Sequence, residues 1–95
     1  MAAYIIAQVD VTDPQQYEQY KALSSRAIAA HGAEILVRGG EVQILEGSVQ
    51  PGRVVVLKFP DLAAARTFYD SAEYQLARHA RAGAAVMRMI AVQGV

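Results

Sequence analysis

Cysteine is absent from this 95-residue chain, which removes disulfides, thiol catalysis and thiolate metal sites while leaving the redox compartment open. An excess of charge is missing too: nine basic side chains balance nine acidic ones, for a formal net charge of +0. Such a balance leaves no electrostatic footprint for nucleic acid or an anionic membrane. Long apolar runs are also lacking. The N-terminal MAAYIIAQVDVTD has no basic leader, and its apolar stretch breaks at Gln8 and Asp10, too soon for a signal peptide or a membrane span. The expectation is a cytoplasmic protein with neither nucleic-acid nor membrane partners. Its two histidines, His31 and His79, have no paired ligand spacing, no serine sits in a nucleophile elbow, and no glycine-rich loop opens a helix. No metal and no cofactor is therefore expected. A chain of this length forms one domain over residues 1–95 and buries roughly 60 to 68% of its unfolded surface, a modest core.

What the chain does have is Arg53 to Pro60, RVVVLKFP, apolar on both alternating faces with a single interruption. Val55, Leu57 and Phe59 point one way, and Val54, Val56 and Lys58 the other. A strand apolar on both sides needs cover on both, and two helical segments supply only one. A second copy of the chain is the expected second cover.

The other elements arrange themselves around this strand. Ala3 to Val11 alternates as a strand. Asp13-Pro14 starts a helix in which Asp13 is the N-cap and Gln16 closes a capping box; Tyr17, Tyr20, Ser24, Ala27, Ile28 and His31 recur at helical spacing until Gly32 stops it. Ile35 to Val37 and Val42 to Leu45 read as strand interrupted at Gly39-Gly40 by a bulge or by a close approach of another group. Pro51-Gly52 turns that strand back as a hairpin. Asp61 caps a second helix, Ser71 recaps it after a kink, Gly83 ends it, and Ala84 to Gln93 forms the last strand. The order βαββαβ is that of an α+β, ferredoxin-like fold: a four-stranded antiparallel sheet with its helices on one face. Ile5, Ala7, Val9, Val55, Leu57, Phe59, Met87, Met89 and Ala91 then face the helices. Tyr4, Ile6, Val54, Val56, Val86 and Ile90 are left on the other face with Gln8, Lys58, Arg88 and Arg38, and burying each aliphatic there is worth about 1.5 to 3 kcal/mol, which favours a homodimer through the sheet face.

Several stretches resemble a known family: HGAEILVRGG, the LEG of Leu45 to Gly47, RVVVLKFP, FYDSAEYQLARHAR and, upstream, DPQQYEQY. Together they are similar to the domain of unknown function numbered 1330, over nearly the whole chain. The resemblance implies a ferredoxin-like fold and a homodimer of the dimeric alpha-beta barrel kind, in a superfamily that also holds cofactorless monooxygenases, small isomerases and ligand-sensing domains. It implies no agreed reaction. The family pattern falls on Asp13, Tyr17, Tyr20, His31 and Gly32, then on Arg38 to Gly40, Glu46 and Gly47, and last on Phe59, Pro60, Ser71, Tyr74 and Arg81. Lys58 stands where the family commonly has an acid, Phe68 where it has tryptophan and Ala72 where it has proline.

Each candidate site residue has two readings. His31 is a general acid or base near neutrality, or a helix-end side chain bonding the last carbonyls. Arg38 beside Gly39 presents a planar fork to a carboxylate while glycine lets the ligand approach, or it pairs with Glu41 or Glu46. Tyr74, Arg78 and Arg81 share a helical stripe that lines an anion pocket or lies solvated over apolar surface. Tyr17 and Tyr20 belong to the core or reach a cavity between helix and sheet. The expected function is a homodimeric small-molecule-binding protein that handles a small organic acid or carbonyl compound. If it is catalytic, the chemistry is proton transfer, with His31 as acid or base, Tyr74 as donor, and Arg38, Arg78, Arg81, Tyr17 and Gly39 binding the substrate. The alternative is a non-catalytic ligand-sensing or assembly module.

Overall fold

The alternation near the N-terminus becomes strand β1, Ala3–Val11, whose inward residues Ala3, Ile5, Ala7 and Val9 are buried while the residues between them are only partly covered. The computed structural model describes residues 1–95. Helix α1 spans Pro14–Ala30, with the Asp13 side chain accepting from the Gln16 N–H at 3.1 Å and Pro14 in the first turn. The Gln16 side chain does not close a capping box. Its amide instead donates to the Ala80 and Ala82 carbonyls at 3.0 and 2.9 Å, satisfying acceptors at the end of a later helix that have no partner within it.

Strands β2, Glu34–Arg38, and β3, Arg53–Phe59, form the expected hairpin. Helices α2, Leu62–Asp70, and α3, Ala72–Ala80, meet at Ser71, which ends one and caps the other by accepting from the Tyr74 N–H. Ala72 is thus the first helical residue, where the family's proline would also fit. Strand β4, Ala85–Gln93, completes the sheet in the order β2-β3-β1-β4, with every pairing antiparallel. This is the α+β, ferredoxin-like arrangement that the element order predicts.

Two readings are corrected. Val42 to Leu45 is not a strand: Gly40 to Gly52 has no regular structure and is exposed almost throughout. An alternating pattern makes a strand only where a neighbour accepts its ladder, and β3 has already begun pairing with β2 by Val55. The irregularity lies earlier than Gly39, between Ile35 and Val37, where two β2 residues stand against one of β3. That extra residue reverses the face of everything after it, so Arg38 pairs with Val55 and points to the helix side, not to the open face. Ala91 does face the helices, opposite Ile5 in the ladder and beside Ala65 and Tyr69 of α2, although it stays exposed at the rim of the core.

The core joins the inner sheet face to an aromatic group on the helices. Phe68 has its ring centroid 5.3 Å from that of Phe59 and 4.7 Å from that of Tyr74, and all three are almost fully buried. The other sheet face has no cover: Val86 and Ile90 are 59% and 60% exposed. Its polar residues partly serve one another, since Arg88 donates to Gln8 Oε1 at 3.1 Å and Lys58 has Glu34 as its cross-strand partner. Lys58, in the place of the family's acid, therefore faces an acid on the neighbouring strand.

Phe68→Ala should remove about 3 to 5 kcal/mol, a large part of the 5 to 15 kcal/mol typical of a domain. Urea unfolding would read this as a lowered midpoint with an unchanged slope.

Candidate functional site

Helical spacing puts Tyr17, Tyr20, Lys21, Ser24 and Ile28 on one stripe of α1, and that stripe roofs a cavity whose floor is the inner sheet face. Ile5, Ala7, Val9, Leu57, Met87 and Met89 form the floor, and Phe68 and Tyr74 close one end. Cavity volume is about 40 Å3; counted out through its mouth into open solvent, the empty space is about 550 Å3. A single water needs at least about 10 to 15 Å3 on the first measure. The enclosed part thus admits a group of a few heavy atoms.

Polar atoms gather at two places. At the closed end the Tyr20 and Tyr74 hydroxyls share a buried hydrogen bond of 2.7 Å. Burial pushes the Tyr20 phenol well above its usual range, and the neighbouring Tyr74 adds to the rise, so Tyr20 keeps its proton and offers a hydroxyl for hydrogen bonding, not a base. Tyr17, with its ring centroid 5.1 Å from that of Tyr20, is raised by the same desolvation, while the Arg53 guanidinium opposes the rise.

At the open end stand Arg38, Arg53 and Lys21. These three side chains also line an open notch on the outer surface with Glu18 and Ser25, so they form the partition between cavity and solvent. Lys21 is paired with Glu18 at 2.8 Å. Arg38 donates to the neutral Ser25 hydroxyl, and the buried Arg53 Nε has no partner. Neither arginine has a carboxylate within ion-pair distance, since the chain's ion pairs are Lys21–Glu18, His31–Glu73 and Arg66–Asp70. Gly39 sits against this group. It holds φ at +70°, and a Cβ there would overlap the Arg53 guanidinium, so glycine is required both by the backbone and by the arginine.

The structure brings together Tyr17, Tyr74, Arg38 and Gly39 from the residues singled out in the sequence. It keeps three apart from them. His31 caps the C-terminal end of α1 and lies outside the cavity, with Nε2 3.1 Å from Glu73 Oε1 and its ring edge-on to Phe68. Arg78 stacks over Tyr69 at 4.4 Å. Arg81 covers the Tyr20 ring at 5.5 Å without lining the cavity, and its buried Nε is unpartnered.

Two lining residues, Arg53 and Lys21, escaped the sequence reading, although both carried a signal. Arg53 has the same strand parity as Val55, Leu57 and Phe59, so a charge on the inward face was written in the alternation. Lys21 follows Tyr17 by one helical turn. No histidine or carboxylate lines the cavity.

The tyrosine pair is open to direct measurement. Tyr20→Phe and Tyr74→Phe should each cost about 1 to 3 kcal/mol, because each strands the other buried hydroxyl, and the double variant should cost less than their sum. A double-mutant cycle in urea checks this. The raised Tyr20 also fixes an alkaline limit. Above its ordinary pKa of 10.0 the unfolded chain loses this proton while the folded chain keeps it, so stability falls with rising pH, by up to about 1.4 kcal/mol per unit from this group. Urea midpoints followed from pH 9 to 11.5 should fall less steeply in Tyr20→Phe than in the parent.

Known proteins match this chain in fold more than in sequence. A protein of unknown function from Rhodopseudomonas palustris superposes with a TM-score of 0.75 at 19% identity, over 99% of this chain and 82% of that one. The cofactor-independent oxygenase SnoaB from Streptomyces nogalater gives 0.61 at 9% identity, over 99% and 93%. A dimeric protein of unknown function and ferredoxin-like fold from Bacteroides fragilis gives 0.65 at 10% identity, over 98% and 96%. At such identities the likeness shows the fold. None of the curated proteins matches the sequence. The family model described as domain of unknown function (DUF1330) matches residues 2–95, and the chain belongs to that family.

Proposed function

We propose that this chain is one protomer of a homodimer that binds a small organic molecule in the cavity between α1 and the sheet. The observation that carries the reading is the cavity itself: an apolar interior with a few convergent polar groups, the usual composition of a small-molecule site. The homodimer is supported by the uncovered sheet face around Val86 and Ile90 and by the dimeric ferredoxin-like protein among the structures of similar fold.

The polar groups favour donation and anion holding over proton abstraction. Tyr74 and Tyr20 offer hydroxyl hydrogens, and Arg38 and Arg53 offer fixed positive charge. If the bound molecule reacts, it does so through its own acidity: a carbonyl compound or acid whose anion the arginines stabilise and whose oxygen a tyrosine bonds. A cofactor-independent oxygenase among the similar folds is consistent with chemistry that the substrate itself supplies. His31, tied to Glu73 outside the cavity, takes no part in this reading. The non-catalytic version, a ligand sensor, uses the same cavity and the same residues.

Light scattering on the purified protein should give twice the chain mass. Melting in the presence of small acids, phenols and carbonyl compounds should pick out one class. A ligand at 100 times its Kd adds about 2.7 kcal/mol, a rise of roughly 10 °C or more for a domain this size. A monomer would remove the assembly, and a flat melting panel would favour a purely structural module.

A further inference from the structure

The two openings of the arginine partition, one inward to an apolar cavity and one outward to solvent, define what kind of molecule fits. A ligand lodged there has its charge at the partition and its body inside. Lys21 is neutralised by Glu18, which leaves the two guanidiniums of Arg38 and Arg53 uncompensated, one bonded to a neutral hydroxyl and the other with a buried nitrogen unpartnered. Guanidinium is a planar fork that matches carboxylate geometry, and such charge-assisted bonds are roughly twice as strong as neutral ones. Behind the partition the wall is Ile28, Leu57, Met87 and Met89, with the Phe68 and Tyr74 rings at the end. A cavity of about 40 Å3 is roughly three times what one water needs. It suits a short branched chain of a few heavy atoms, and it falls well short of the roughly 150 Å3 that takes a benzene ring.

We propose that the site takes a small branched monocarboxylic acid, its carboxylate held by Arg38 and Arg53 beside Tyr17 and its short apolar body inserted between α1 and the sheet. This rests on the reading of the cavity as the binding site and adds the ligand's class and orientation. It also assigns Arg53 as the anchoring residue. Gly39 becomes the device that leaves room for the guanidinium, because any side chain there would displace it.

Titration calorimetry on the full chain, with 2-methylpropanoate and 3-methylbutanoate compared against 2-methylpropanamide and 3-methylbutanamide, separates the proposal from the reading beneath it. The acids should bind at least tenfold more tightly than their amides, because the pairs differ in charge and hardly in shape. Inorganic phosphate, an anion with no apolar body, should bind more weakly than 3-methylbutanoate. Arg53→Gln and, separately, Arg38→Gln should reduce the preference for acid over amide by about tenfold while leaving amide binding in place. Arg38 is exposed, so its variant keeps the test available if Arg53→Gln folds poorly, and the comparison of acid with amide needs no variant. Equal binding of acids and amides would overturn the carboxylate assignment and leave the cavity reading intact. Phosphate binding as tightly as 3-methylbutanoate would overturn the inserted body. Binding of none of the four organic probes would overturn the cavity reading and the proposal together.

Discussion

A guanidinium on the buried side of a sheet has to find water, a carboxylate or a ligand, and this constraint organises one whole end of the molecule. Arg38 and Arg53 both occupy inward positions, at the end of β2 and the start of β3. An uncompensated charge deep in an apolar core would cost several kcal/mol. The structure avoids that by keeping this end of the cavity open, so that the arginines border solvent on one side and the apolar space on the other. The mouth, the Ser25 contact and the need for glycine at position 39 follow from the same requirement. At the opposite end, where aromatic rings close the core, the polar atoms are neutral hydroxyls that satisfy each other.

Legibility followed how local each cause was. The parity of β1 and β3, the Asp13 and Ser71 caps and the glycine stops depend on a few neighbouring residues, and these were readable in order. Leu36 was not. Nothing in ILVR marks an extra residue, since Ile35, Leu36 and Val37 are equally apolar, and the slip is set by what β3 offers as a partner. Its effect is disproportionate, because a shift of one residue exchanges the two faces of a strand. Arg38 passes by that step from the open face into the cavity. Val42 to Leu45 fails for a related reason: alternation reports what a segment would bury, and only a neighbouring strand turns it into a ladder. Arg53 is different again, for its inward parity was visible and an interior charge was simply not followed through.

The distribution of ionisable groups narrows the chemistry more than any single residue does. The histidine that sequence favoured as acid or base belongs to a bridge between the end of α1 and the start of α3, where it packs against Phe68. With His31 outside and no carboxylate within, the cavity holds donors and cations alone. Such a lining stabilises negative charge that a ligand brings or develops, and it has no group ready to create that charge by taking a proton at neutral pH. Binding of an anion and reaction of an already acidic substrate therefore share one set of residues. Measuring affinity bears on both.

The segment from Gly40 to Gly52 connects this site to the uncovered surface. It is bounded by Arg38-Gly39 on one side and Gly52-Arg53 on the other, so each stem carries one of the two arginines beside a glycine of positive φ. Neither glycine is replaceable at small cost: both hold a positive φ, and a Cβ at Gly52 also meets the Val9 carbonyl, while one at Gly39 would push the Arg53 guanidinium aside. Between these stems the segment exposes Val42, Ile44, Leu45 and Val49, apolar side chains with nothing over them in a single chain. Burying them is the strongest available drive to order the loop. Whatever buries them acts on a loop whose two ends adjoin the arginines. The spacing of Arg38 and Arg53 does not wait on that event: Arg38 stands opposite Val55 and the Gly39 N–H donates to the Val54 carbonyl at 2.8 Å, so the hairpin ladder itself sets the dimension a carboxylate would have to match.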